Sequence, residues 1–478
     1  MTQHMVQSSK PSGDQISSQV RRDLRASIGD AVGYSFTVGL GEAYIAAFAL
    51  AVGMGEVVTG LVATLPMLLG SVLQLMAPGM ARALGSLRRW VLICAVVQSL
   101  SLVPLGYAAW HGRISAPVLL LIVTLYWAAN LSTGPAWNTW IGTLVPKPIR
   151  ANYFALRSRF AQVAVLIGLA VAGLSLHYGK QQDRTLTVFC FLFLAAAMCR
   201  LISAWFLSRH SEPQPIPKNY RMVPFKELLG RVRSAADGRL LGYMITVQVC
   251  VQVSGPFFTP YMLGRLQFSY MEYLMLIAGA FVSKIIAFPL LGRFADRYGA
   301  SALLWFSGVG IVPLSAFWIV SDQLVYLLVL QVFAGAIWAG YELATFLLLF
   351  DHIAEHERTS ILTVFNFANA LAMVGGSLLG GTVLGVMGEV IGSYHVVFVM
   401  SGVARLGTLF FLRGLVSPAS RPKMIRFDAF FPRILAVRPS LGSLDRPLLP
   451  EVDQADEDGE SLTGDEPERQ DKPAALRT

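Results

Sequence analysis

Long apolar runs separated by short polar breaks occupy the chain from about residue 28 to residue 415. A helix needs about 20 mainly apolar residues to cross the hydrocarbon core of a bilayer, and the runs predict twelve such helices. They fall at about 28–52, 57–80, 90–110, 118–143, 154–176, 186–207, 240–263, 273–292, 302–320, 324–350, 361–387 and 395–415. The fold class is therefore all-α and polytopic. Residues 208–239 carry Pro213, Pro215 and Pro217 among basic residues, which predicts a linker between a first bundle at 28–207 and a second at 240–415. Residues 1–27 are polar and lack an apolar core followed by a small-residue cleavage site, so they read as a cytoplasmic N-terminal segment, with the first helix serving as an uncleaved insertion signal. Residues 416–478 turn to Pro, Arg and then acid, a composition that predicts a disordered cytoplasmic tail. Within it, Met424 to Leu435 sets Phe427, Phe430 and Phe431 among Arg426 and Arg433, which suits an interfacial segment or a plain linker equally.

Composition agrees with this pattern. Of 478 residues 54% are hydrophobic and 14% charged, against the roughly 25% charged of a soluble domain. A net charge of +9 raises the question of nucleic acid, but its distribution answers it. One set of predicted loops holds Arg82, Arg88, Arg89, Lys147, Arg150, Arg157, Arg159, Arg293, Arg297 and Arg358, and the linker adds seven more basic residues. The opposite set holds Arg113, Lys180, Arg184 and Arg265. That asymmetry is the positive-inside pattern and places both termini in the cytoplasm, in an inner-membrane topology. No nucleic-acid partner is implied, and the lipid bilayer is the expected surrounding. Cys94, Cys190, Cys199 and Cys250 all lie inside apolar runs without metal-ligand or disulfide spacing.

The two bundles show an ordered internal repeat. Arg200-Leu201 with Phe206-Leu207 answers Arg405-Leu406 with Phe411-Leu412 at an offset of 205 residues, and Val103-Pro104-Leu105 answers Val312-Pro313-Leu314 at 209. Arg150 answers Arg358, and Gly168 answers Gly376, both at 208. Parallel repeats of this kind suit two bundles related by an axis along the membrane normal.

Between the eighth and ninth helices the chain reads Gly292-Arg293-Phe294-Ala295-Asp296-Arg297-Tyr298-Gly299. This resembles the loop signature Gly-x-x-x-Asp-Arg-x-Gly of the major facilitator superfamily (MFS). In the first half the equivalent loop runs from Pro78 to Gly85, with Arg82 in place of the acid. The glycines permit close approach and tight turning. Asp296 is expected to cap a helix end or pair with a neighbouring Arg, giving a conformational latch through Gly292, Asp296, Arg297 and Gly299, with Gly85 as the first-half counterpart. The resemblance implies a transporter working by alternating access, with the first, fourth, seventh and tenth helices lining a central cavity. The Gly-Pro motif of the family's drug-proton antiporters is absent from the fifth helix, while Gly375, Gly376, Gly380, Gly381 and Gly385 crowd the eleventh, a pattern of close helix packing.

Three ionisable residues fall deep inside predicted helices: Glu42, Lys284 and Glu342. Each requires a cavity, a partner or a proton. Glu342 follows Trp338 and Tyr341, surroundings that favour a proton-coupling acid, while a buried ion pair of Lys284 with Glu342 or Glu42 is the competing reading. Asn130, Trp127 and Asn138 in the fourth helix and Gln248 and Gln252 in the seventh offer polar and aromatic groups for a small organic solute. Arg157, Arg159, Arg200 and Arg405 are expected to snorkel toward headgroups, with a structural role for the matched pair Arg200 and Arg405.

One string looks catalytic. His352-Ile353-Ala354-Glu355-His356 matches H-x-x-E-H, which on a single helix can hold zinc, and a membrane metallohydrolase is the alternative it supports; a transporter-like sensor is the other. No phosphate-binding loop or dinucleotide fingerprint is present, so energy must come from a gradient, and no cofactor is expected. The expectation is thus a monomeric secondary transporter, symporter or antiporter, taking a small molecule and, with it, protons.

Overall fold

The computed structural model describes residues 13–54, 56–212, 216, 221–223, 225–268, 270–388 and 391–415. The expectations for the tail, including Met424 to Leu435, and for most of the proline-rich linker lie outside the described residues. The described part is helical, without a strand, and contains twelve helices long and apolar enough to cross a membrane. These are α1 (Ser18–Ala51), α2 (Leu65–Leu84), α3 (Leu87–His111), α4 (Ala116–Leu144), α5 (Lys147–Gln181), α6 (Thr185–Arg209), α7 (Ala236–Pro260), α8 (Glu272–Tyr298), α9 (Ala300–Ile319), α10 (Leu324–His352), α11 (Glu355–Met387) and α12 (Gly392–Arg413).

Packing repeats between the halves. In the first, α1 lies on α5 and α6, α3 on α4 and α6, and α2 on α4; in the second, α7 lies on α11 and α12, α9 on α10 and α12, and α8 on α10. The sequence repeats mark equivalent contacts. A Cβ at Gly168 would sit 3.0 Å from the Cα of Gly39, and one at Gly376 would sit 2.8 Å from the Cβ of Gln252, so each glycine admits the first helix of its half against the fifth. Arg150 donates to the carbonyls of Val145 and Gly142 at 3.2 and 3.3 Å, five and eight residues back; Arg358 donates to those of Ile353 and Phe350 at 3.0 and 3.1 Å, again five and eight back. Each arginine satisfies the orphan carbonyls at the end of the preceding helix.

The core is divided unevenly. Around the end of the bundle that carries the N-terminus and the linker, one hydrophobic cluster runs through both halves, from Leu24, Val91, Trp140 and Phe154 to Tyr243, Phe288, Leu343 and Phe350. Toward the opposite end the halves have separate clusters, one around Phe48, Tyr126 and Phe193 and the other around Tyr261, Trp318 and Phe398. The halves thus share one core at the linker end and keep separate cores toward the other, where α2 still touches α11.

Beyond α6 a short helix, Phe225–Ser234, is tied to the start of α11. Glu357 accepts from Arg221 at 2.9 Å and from Arg231 at 2.7 Å, and Ser360 Oγ accepts from the Val223 amide at 2.9 Å. The hydrogen bond from Arg231 to Glu357, reinforced by Glu227 and Asp237, holds the guanidinium well above its ordinary pKa.

Candidate functional site

Lys284 of α8 and Glu342 of α10, both well inside their spans, form an ion pair through Nζ and Oε1. The pair is not sealed: 43% of the Glu342 side chain and 20% of the Lys284 side chain remain accessible. A charged pair at that depth facing hydrocarbon would cost several kcal/mol. Trp338 stands edge-on to Tyr341 at 5.6 Å, and Tyr341 lies 6.3 Å from Tyr243, which backs the α10 face.

The first half holds a longer polar chain. Glu42 sits where α1 tightens into a 3-10 turn, Glu42–Tyr44, and accepts a hydrogen bond from Tyr126 Oη of α4 at 2.8 Å. Tyr34 Oη donates to Asn130 Oδ1 at 3.0 Å, and the Arg200 guanidinium stacks 5.0 Å above the Tyr34 ring. Arg200 also donates from Nε to Gln98 Oε1 at 2.7 Å and from Nη1 to Ser203 Oγ at 2.6 Å, and Ser203 donates to Asp30 at 2.7 Å. Asp30 receives a second arginine, Arg157 of α5, at 3.2 Å, while that guanidinium lies 4.3 Å over Trp137.

This chain corrects the expectation for three arginines. Arg200 is 2% exposed and Arg405 3%, and Arg157 turns inward to Asp30, so none of them snorkels. Arg405 donates to Ser254 Oγ at 3.1 Å and to the Ile311 carbonyl at 3.3 Å. For Arg157 and Arg200 a buried carboxylate and an aromatic ring outweigh the pull of headgroups; Arg405 is held by a hydroxyl and a carbonyl instead. Asp30, Tyr34, Gln98 and Ser203, which gather around Arg157 and Arg200, are the polar residues that the sequence reading does not single out. A start of α1 at residue 28 sets Asp30 at its rim; the structure continues the helix back through Ser18, which sets Asp30 about three turns inside. The helical spacing of Asp30, Tyr34 and Thr37 was the available signal.

The remaining candidates are scattered. Trp127 packs by its backbone and Cβ against Gly70 of α2 and lies edge-on to Tyr126 at 6.0 Å. Asn138, Gln248 and Gln252 are half-buried. Gln252 lines a cavity of about 400 Å³ between α2, α7 and α11, together with Leu65, Pro256, Met373 and Ser377. The cavity lies between the halves beyond their shared core, and next to it Asn366 donates to Gln74 Oε1 at 3.3 Å.

At the linker end the passage is closed. Phe154 of α5 packs on Phe346 at 4.6 Å and stacks on Phe350 at 5.4 Å, Trp137 approaches Phe346 at 6.4 Å, and Thr139 of α4 bonds Thr359 of α11 at 2.7 Å. Arg150 and Arg358 lie on Phe350 at 5.0 and 4.9 Å. The loop signature flanks this seal. A Cβ at Gly292 would meet the Ala155 Cβ at 2.6 Å, so α8 and α5 touch there. Gly299 and Gly85 take φ of +86° and +65°, the left-handed turns that favour glycine. Asp296 departs from the expectation of an Arg partner or a cap: its carboxylate accepts from the Asn152 side-chain amide of α5, across the halves. Arg297 lies over the neighbouring Tyr298 ring at 5.5 Å.

The zinc-like string has lost its premise. His352 ends α10 and Glu355 begins α11, with Ile353 and Ala354 extended between them, so the residues do not share one helical face. His352 Nδ1 is engaged with the Leu348 carbonyl at 3.1 Å, and no group of three or more metal-ligating side chains occurs among the described residues.

The fold is similar to solved transporters. The Escherichia coli fucose:proton symporter FucP matches with a TM-score of 0.65 at 12% identity, covering 84% of this chain and 100% of that one. A bacterial homologue of the iron transporter ferroportin, in its outward-facing state, matches at 0.61 and 14%, covering 83% and 98%. The human organic anion transporter TETRAN matches at 0.57 and 17%, covering 84% and 100%. No curated protein matches the chain by sequence. The family model described as Major Facilitator Superfamily matches residues 31–374 and 240–443. Taken with the two six-helix halves and the Gly292 to Gly299 loop, the match shows that the chain is a multi-pass membrane protein belonging to the major facilitator superfamily of transporters.

Proposed function

We propose that the protein is a secondary active transporter of the cytoplasmic membrane, which carries a small organic solute by alternating access and couples it to protons. The observation that supports it most is the uneven core: the halves share one hydrophobic cluster at the linker end and have separate clusters beyond it. Alternating access needs two packings of nearly equal free energy. Aromatic contacts such as Phe154 on Phe346 and Phe350 contribute about 0.5–1.5 kcal/mol each, a scale that a bound solute can offset. Within the proposed topology the end closed by these contacts faces the cytoplasm.

Coupling is assigned to the Lys284 and Glu342 pair. Protonation of Glu342 from the open side releases Lys284, and an anionic group of the solute can then take the carboxylate's place. The first-half chain from Asp30 to Asn130 holds α1, α4, α5 and α6 in register around the cavity.

Counterflow of labelled sugars and organic anions into proteoliposomes tests this reading. These classes are chosen because two structural neighbours are described as a fucose:proton symporter and an organic anion transporter. At least one solute should exchange and should accumulate under an imposed pH gradient. Binding without exchange would instead mark a sensor, and accumulation indifferent to the pH gradient would remove the proton from the scheme.

A further inference from the structure

Where α1 enters the bundle, next to the start of α3 and the end of α6, lies a basic pocket of about 570 Å³ that the transport reading does not use. Arg22 and Arg25 of α1, Arg88 of α3 and Arg209 of α6 line it, together with Trp205 and His210. Arg88 is held by its donation to the Ser208 carbonyl and through its backbone amide by Glu212 at 2.9 Å. Arg22, Arg25 and Arg209 are exposed, and among the described residues no carboxylate lies within ion-pair distance of any of the three. Arg209 is stacked 4.5 Å over Trp205, which fixes its guanidinium at the pocket wall. His210, although buried, has no partner for Nε2 among the described residues.

What lies beside the pocket decides its occupant. Trp205 is 51% exposed and continues a strip of exposed apolar side chains along α6, Ile202, Leu201 and Met198, with Ile93, Val96 and Leu100 on α3 alongside. Such a strip within two spans is the lipid-facing surface. An exposed Trp at its edge is the usual mark of the headgroup level. The pocket therefore offers several unneutralised guanidinium groups directly where an apolar wall begins.

We propose that this pocket binds the phosphate headgroup of an anionic phospholipid, whose acyl chains lie along α3 and α6. Basic pockets between helices at the membrane surface are suited to such headgroups, with each nearby charge contributing to affinity. Guanidinium groups can engage phosphate oxygens in pairs. A bound lipid would brace α1 against α3 and α6 at the end where the halves are joined. The acidic segment of the chain itself, from Glu451 to Asp471, is the rival anion, but it has no use for the apolar strip.

The test measures melting temperature and lipid binding, by native mass spectrometry, on the detergent-purified full chain. The probes are phosphatidylglycerol, phosphatidylcholine, inorganic phosphate and a synthetic peptide of residues 451–471. The wild type should bind and be stabilised by phosphatidylglycerol and by neither phosphatidylcholine nor phosphate. In a triple variant, Arg22→Gln with Arg25→Gln and Arg209→Gln, phosphatidylglycerol affinity should fall roughly a hundredfold, at about fivefold for each charge. A control losing the same charge at exposed positions elsewhere, Lys147→Gln with Arg159→Gln and Lys226→Gln, should retain it. Equal losses in both triple variants would reduce the effect to diffuse attraction and overturn the site. A shift by phosphate alone, or by the peptide, would overturn it in favour of a free anion or the tail. If the triple variant is not recovered, Arg209→Gln alone carries the same expectation at about fivefold.

Discussion

Glu342 and Lys284 are bound to each other, which changes what a single substitution does. Glu342→Gln fixes the neutral state while keeping size and hydrogen bonding. As the proton carrier it should lose gradient-driven accumulation and keep solute exchange, with near-normal yield. As one half of a static pair, the same change strands Lys284, lowering yield and both activities, and Lys284→Met in the same chain should restore them. Intact accumulation in Glu342→Gln would end the proton assignment. Asp30 poses a separate case because its carboxylate serves two arginines, one of them almost wholly buried. Asp30→Asn should therefore cost about 3–5 kcal/mol, read as a fall in melting temperature. Adding Arg157→Gln should recover part of it, and an unchanged melting temperature would show that Ser203 and Gln98 satisfy Arg200 without the acid. The charges of α8 and α10 could be read from the sequence because each interrupts a long apolar run. Asp30 could not, because it follows a polar stretch that itself turns out to be helix.

The contact between α5 and α8 is where an element-level device can be tested. Asp296 meets Asn152 across the two halves, and Gly292 brings the backbones together beside them. Asp296→Asn should slow transport while expression stays near normal, because the change weakens a contact present in one arrangement and leaves the core alone. Asn152→Ala should do the same, and spin labels on α5 and α8 should report a wider linker end in both. Unchanged transport in both variants would reduce the loop to a tight turn. The loop and its glycines were visible in the sequence; the partner was not, since Asn152 lies in the other half, 144 residues away. The repeated arginines show the same division. Arg150 and Arg358 announce themselves by their offset, but their shared stacking on Phe350 exists only because the halves close around one ring.

For the whole molecule, the arrangement in the membrane is the claim most open to a direct check. A reporter active only outside the cytoplasm should be active when fused after His111 or Gln181, and silent after Pro148 or Pro215. The reverse pattern would invert the topology and with it the side that the closed end faces. Helix number, the two halves and the family signature were all determined by the sequence, because burial in lipid demands an apolar run for every crossing and duplication leaves matched residues at a fixed offset. The tertiary structure alone decided the ion pairing of Lys284 with Glu342, the gathering of Arg157 and Arg200 around Asp30, the separation of His352 from Glu355, and the end at which the halves meet. Each depends on how helices distant in sequence are turned toward one another. Helix orientation is set by summed packing over many weakly distinctive apolar contacts, and no local pattern in a nearly uniform apolar run encodes that sum.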